Sequence, residues 1–95
     1  MATDQLSRGC TNALSSLGQR VREARKVRGQ SLATLAASAG VGLSTLQCIE
    51  AGSPGVALGN LCKVLEALGL LGQLEDLLRP ERDPEFVAFA RQQLR

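Results

Sequence analysis

Apolar side chains recur at helical intervals through most of this chain, and glycines break the runs. The clearest stretch runs from Ser31 to Gly52. Leu32, Leu35, Ala36 and Ala39 fall at i, i+3, i+4 and i+7, which is one face of a helix. Ser31 stands just ahead of them, where its hydroxyl can accept a free backbone N–H of the first turn. Gly40 ends the run, since a glycine takes positive φ without a steric penalty. Val41 plugs inward. A second helix, about Leu43 to Ala51, opens at Gly42 or Ser44 and turns Leu46 and Ile49 to the same core. Gly52 and the Ser53-Pro54-Gly55 loop close it. Two helices this short cannot bury their apolar faces alone, and a tight glycine turn forces them to cross steeply.

The flanks are helical too. Ser16 and Gln19 have capping-box spacing, so a first helix is expected to start at Ser15-Ser16. Leu17, Val21, Ala24 and Val27 form its inward stripe, and Gly29 ends it. Met1 to Leu14 is expected to be loose or partly helical. Beyond the loop, Leu58, Leu61, Val64, Leu65 and Leu68 make another stripe, closed by Gly69. A fifth helix, about Gly72 to Leu78, carries Leu74, Leu77 and Leu78. Pro80 marks a turn. Asp83-Pro84-Glu85 then restarts a helix, with a cap, a proline at the first position and an acid in the first turn. That segment holds both aromatic residues, Phe86 and Phe89, and ends near Leu94. The expected fold class is all-α: five helices with brief turns and a short extra C-terminal helix. The expected division is a flexible tail at 1–14, a helical domain at 15–79 and a helical extension at 80–95.

Composition narrows the function. A chain of 95 residues with two Phe, no Trp and no Tyr has room for one small Leu/Ala-rich domain. A domain of about 60 residues is marginal alone and gains from a partner or dimer contact. No run of about 18 apolar residues is present, so no membrane span is expected. The N-terminus has no apolar signal core, and a cytoplasmic protein is expected. There is no His, and Cys10, Cys48 and Cys62 show no CxxC spacing, so neither metal nor cofactor is expected. No nucleophile motif, phosphate-cradling glycine loop or carboxylate pair points to an enzyme. Charge is uneven: residues 1–63 hold seven basic and three acidic side chains, residues 64–95 four and six. A basic front half and an acidic rear suit one anionic partner surface and one other surface.

The pattern Ser31, Leu35-Ala36, Ala39-Gly40-Val41, Ser44-Thr45-Leu46, Ile49-Glu50 and Gly52 resembles the helix-turn-helix of the Xre/Cro/repressor family. The likeness runs from about Leu17 to Leu78. It implies a lambda-repressor-like DNA-binding domain whose second motif helix enters the major groove, which is wide enough for one helix. With Leu46 and Ile49 inward, the base-reading positions that the resemblance implies are Leu43, Ser44, Gln47 and Cys48. Gln47 suits a bidentate contact to adenine, and Leu43 can meet a thymine methyl. Thr45, Ser53 and the backbone N–H groups near Gly55 to Leu58 are candidates for phosphate, with Arg20, Arg22, Arg28 and Lys63 as mobile cations. Arg25 and Glu50 match the family's structural ion pair. Four positions depart from the family pattern: Gln30, Leu32, Gly42 and Ala57.

Three functions fit these readings. One is a repressor that binds double-stranded DNA as a homodimer on an inverted repeat, with Phe86, Phe89 and Leu94 in the dimer contact. The second is an antitoxin that represses its own operon. The end of the domain (LGLLGQLEDLL) and the short appended helix resemble the HipB-like branch, in which the tail would hold a toxin. The third is an interaction module that keeps the fold without reading DNA.

Overall fold

A computed structural model of the protein describes residues 5–94. Residues 1–4 of the expected tail and residue 95 of the expected extension lie outside the described residues. The described residues are all-helical: α1 (Arg8–Val27), α2 (Leu32–Ala39), α3 (Leu43–Ala51), α4 (Leu58–Ala67), α5 (Leu71–Glu75), a 3-10 turn (Pro80–Arg82) and α6 (Pro84–Gln93).

The central pair forms for the reasons its residues supply. Ser31 Oγ accepts the Thr34 N–H at 3.0 Å and caps α2. Gly40 sits at φ 72° and lets the chain leave α2 in a left-handed turn. Between α2 and α3 the chain bends by 109°. That bend turns Leu35 and Ala36 onto Leu46 and Ile49. Val21, Val64 and Leu68 complete the cluster, and Leu35, Leu46 and Val64 are wholly buried. α1 packs mainly on α3, α2 on α3 and α4, and α5 on α4.

α1 departs from expectation in two ways. It starts at Arg8 rather than at Ser15-Ser16, because Ser7 Oγ caps it by accepting the Cys10 N–H at 3.0 Å. Ser16 and Gln19 therefore lie inside the helix. Its inward stripe is also different: Gly18, Val21 and Arg25 are buried, whereas Leu17 is 37% exposed and Val27 80% exposed. The inward face is chosen by close approach to α3 and by an ion pair, so two of its three buried residues are not apolar.

Two further expectations are corrected. Leu58 opens α4 and is 77% exposed, so it does not belong to the α4 stripe. α5 ends at Glu75, before Leu77 and Leu78, which face solvent. Leu78 is the one non-glycine residue at positive φ (61°) among the described residues, and it carries the chain toward Pro80.

α6 begins as expected. Asp83 Oδ1 accepts the Glu85 N–H at 3.0 Å, and Pro84 holds the first helical position. It packs on the 3-10 turn and contributes nothing to the central cluster. With the first turns of α1 also outside the core, the molecule is elongated, 54 × 33 × 20 Å.

The core predicts a contrast. Leu46→Ala should cost about 2–5 kcal/mol and lower the melting temperature by roughly 10 °C or more. Val27→Ala should shift stability by less than about 0.5 kcal/mol. Thermal melts followed by circular dichroism would check both, and equal losses would contradict the burial described here.

Candidate nucleic-acid interface

α3 presents two faces. Leu46 and Ile49 are buried in the core. Ser44, Gln47 and Cys48 are exposed, and Leu43 is 47% exposed beside them. These four lie at i, i+1, i+4 and i+5, so the structure brings the sequence-derived reading positions together as one outward strip. The strip carries no charge. Thr45 is half-buried between the two faces.

Beside the strip is an open groove of about 430 Å³. Ser44, Thr45 and Cys48 form one wall; Ser53, Gly55 to Ala57 and Asn60 form the other. Two helix N-termini border it. α1, α2 and α6 are closed by side-chain caps from Ser7, Ser31 and Asp83. α3 and α4 start at Gly42 and Ala57, with no side-chain cap. Their first-turn N–H groups are thus left for an outside acceptor, and the helix dipole favours an anion there. Gly42 and Ala57, two of the four departures from the family pattern, leave donors free at the groove. Asn60 was missed. It has no apolar periodicity to mark it, and only the packing of α4 beside α3 brings it to the wall.

The expected cations scatter. Arg20 lies with Ser16, Gln19 and Glu23 on a shallow surface of α1, on the side turned away from Gly18 and α3. Arg22 is exposed closer to the α3 side. Arg28 folds back, its Nη1 donating to the Ala24 carbonyl at 2.8 Å near the C-terminus of its own helix. Lys63 is exposed one turn after Asn60 on α4. Phe86 and Phe89 belong to α6 and Leu94 follows its last residue; they line no part of the groove and are 47%, 59% and 88% exposed.

Arg25 and Glu50 set the orientation of α3. Arg25 is 7% exposed. Its Nε donates to Glu50 Oε2 at 2.7 Å and its Nη2 to Glu50 Oε1 at 3.1 Å, a bidentate pair. Its Nη1 donates to the Gln30 carbonyl at 2.8 Å, which also ties in the turn before α2. The hydrogen bond to Glu50, with the attraction of its charge, raises the guanidinium above its ordinary pKa against the opposing effect of burial. The guanidinium therefore stays charged, and α1, α3 and the α1–α2 turn are fastened at one point.

A family model described as a helix-turn-helix domain matches residues 16–78, about two thirds of the chain. No curated protein and no solved structure matches. Among the described residues, no single helix is long and apolar enough to cross a membrane.

The clasp predicts that Arg25→Ala strands a buried carboxylate and destabilises the fold by about 3–5 kcal/mol. Arg25→Lys should recover only part of that, because an ammonium cannot reproduce the planar fork. Chemical denaturation of both variants measures this, and a wild-type midpoint for Arg25→Ala would disprove the clasp.

Proposed function

The chain belongs to the helix-turn-helix domain family, and from that premise we propose that it is a sequence-specific DNA-binding regulator acting as a homodimeric repressor. The observation that carries this reading is the α3 strip: outward, uncharged, uncovered by the rest of the chain, and flanked by two helix ends without side-chain caps. A strip of that kind fits a major groove, where base edges supply the donors and acceptors. Gln47 pairs with an adenine edge, Ser44 with a base or phosphate, and Leu43 with a thymine methyl. Cys48 lies against the groove wall. Thr45, Ser53 and the open N-terminus of α4 hold phosphates. Of the cations, Arg22 and Lys63 have the better placement, and Arg20 and Arg28 contribute through the general field.

α6 supplies the other surface. Its aromatic face is uncovered by the core, and a second copy of the chain would bury Phe86, Phe89 and Leu94. A two-fold pair of this kind repeats α3 at half-sites about 34 Å apart on an inverted repeat. The same face also suits a toxin partner, which is the antitoxin reading.

Selection of bound duplexes from a random pool is the direct test. The expected result is an inverted repeat, with a log–log salt slope near −5 if about six phosphates are neutralised. Gln47→Ala should lose about 1–3 kcal/mol on the selected duplex and little on a scrambled one. No enrichment and a flat salt dependence would overturn the reading. A chain truncated after Leu78 should bind as a monomer; if it still dimerises and instead loses a second protein, α6 serves a partner.

A further inference from the structure

We propose that Gly18 is a positioning residue for DNA reading: it sets how closely the C-terminal end of α3 seats on α1, and through that the pose of the strip carrying Ser44 and Gln47. The inference rests on α3 being the reading helix. A Cβ placed on Gly18 would lie 2.5 Å from the Glu50 carbonyl oxygen, 2.6 Å from the Ile49 carbonyl oxygen and 2.8 Å from the Glu50 carbonyl carbon. All three are backbone atoms, so no rotamer change relieves the contact. The seat is two-sided. A Cβ on Gly52 would lie 2.8 Å from the Leu14 carbonyl oxygen and 2.9 Å from Ser15 Cα. α1 and the C-terminal end of α3 therefore touch backbone to backbone at two points, one made by Gly18 within α1 and the other by Gly52, the residue that ends α3.

Glycine inside a helix loses stability relative to alanine, and Gly18 lies deep within α1. Gly72 of α5 is a useful comparison, because nothing lies within 4 Å of its added Cβ. The close seat at Gly18 is coupled to the ion pair. Glu50 presents its carbonyl to Gly18 and its carboxylate to Arg25, so α1 grips one residue at both its backbone and its side chain. Widening the 2.5 Å approach to an ordinary contact of 3.4 Å moves the end of α3 by about 0.9 Å. Binding groups tolerate displacements of only about 0.5 Å. Gln47 and Cys48 lie within one turn of Ile49 and Glu50 and are carried along. The cations on α1 and α4 are not, so charge-driven binding to any duplex is spared.

The experiment compares wild type, Gly18→Ala, Gly72→Ala and the Gly18→Ala/Gly72→Ala double variant. Each is titrated with the duplex selected by the wild type and with a scrambled duplex of equal length at one salt concentration. The expected result for Gly18→Ala is a loss of at least tenfold on the selected duplex and less than twofold on the scrambled one, with helicity and salt slope retained. Gly72→Ala should leave the ratio of the two affinities unchanged. The double variant offsets lost stability should Gly18→Ala alone be partly unfolded. An unchanged ratio, or equal loss on both duplexes by a folded chain, overturns the positioning role. So does failure of the double variant to fold, which would make Gly18 a folding requirement. A wild-type chain that selects no duplex removes the reading function itself, a failure distinct from an unchanged ratio in Gly18→Ala.

Discussion

The structure depends most on how one buried guanidinium is satisfied. Taking Arg25 out of water is costly, and its attraction to a carboxylate repays that only with good geometry and further hydrogen bonds. Both conditions are met: two bonds reach the Glu50 carboxylate and a third reaches the Gln30 carbonyl. Each acceptor belongs to a different part of the chain from Arg25 itself. The guanidinium is satisfied only when α1, the α1–α2 turn and α3 take one arrangement. An apolar residue at position 25 could bury as much surface, but it would tolerate sliding of α3 along α1. A fork with three directed bonds does not.

That constraint matters because α3 has little to hold it otherwise. Nine residues are too few for a stable isolated helix in water, and neither end is closed by a side chain. Its helicity comes from Leu46 and Ile49 in the core, from the left-handed turn at Gly52, and from the seat on α1. Side-chain caps are present on α1, α2 and α6; they are missing on the short α5 and on α3 and α4, the two helices whose first turns border the groove. A serine at position 42 or 57 would spend a free N–H on the protein itself. The open ends cost some helix stability and leave donors directed at the groove wall.

The central pair was legible from residues 31–52 because its signals are local. Ser31, Gly40 and Gly52 act on their own backbone, and Leu35, Leu46 and Ile49 follow plain helical spacing; the second helix lies where its apolar pattern put it, Leu43–Ala51. α1 was misread because its inward face is not written in apolar residues. Gly18 is buried for its lack of a side chain and Arg25 for its bonds, so a search for a leucine and valine stripe drew in Leu17 and Val27 instead. Leu58 failed for a related reason: it has the right spacing but opens its helix at an uncapped end beside the loop. Asn60 and the free N–H groups at Ala57 depend on how α4 sits beside α3, which no local pattern encodes. A glycine inside the helical pattern, three residues before Val21 of the inward stripe, is the one signal for the α1–α3 seat that the sequence carries.

The uneven charge along the chain becomes a statement about surfaces once the fold is known. Arg22 and Lys63 lie in the basic part that builds α1 to α4, while the acidic excess of the rear comes from Glu66 in α4 and from Glu75 and Asp76 at the end of α5; residues 79–95 set Arg79, Arg82, Arg91 and Arg95 against Glu81, Asp83 and Glu85. α6 packs on its own 3-10 turn and stays out of the α1–α4 cluster. Pro80, Pro84 and the left-handed Leu78 redirect the chain there within a few residues. The aromatic face of α6 and the uncharged strip of α3 are thus separate surfaces with opposite demands, one needing an apolar cover and the other a polar groove. A single anionic partner cannot satisfy both, which is why the proposed regulator assigns DNA to α3 alone and leaves Phe86 and Phe89 to the proposed contact between copies.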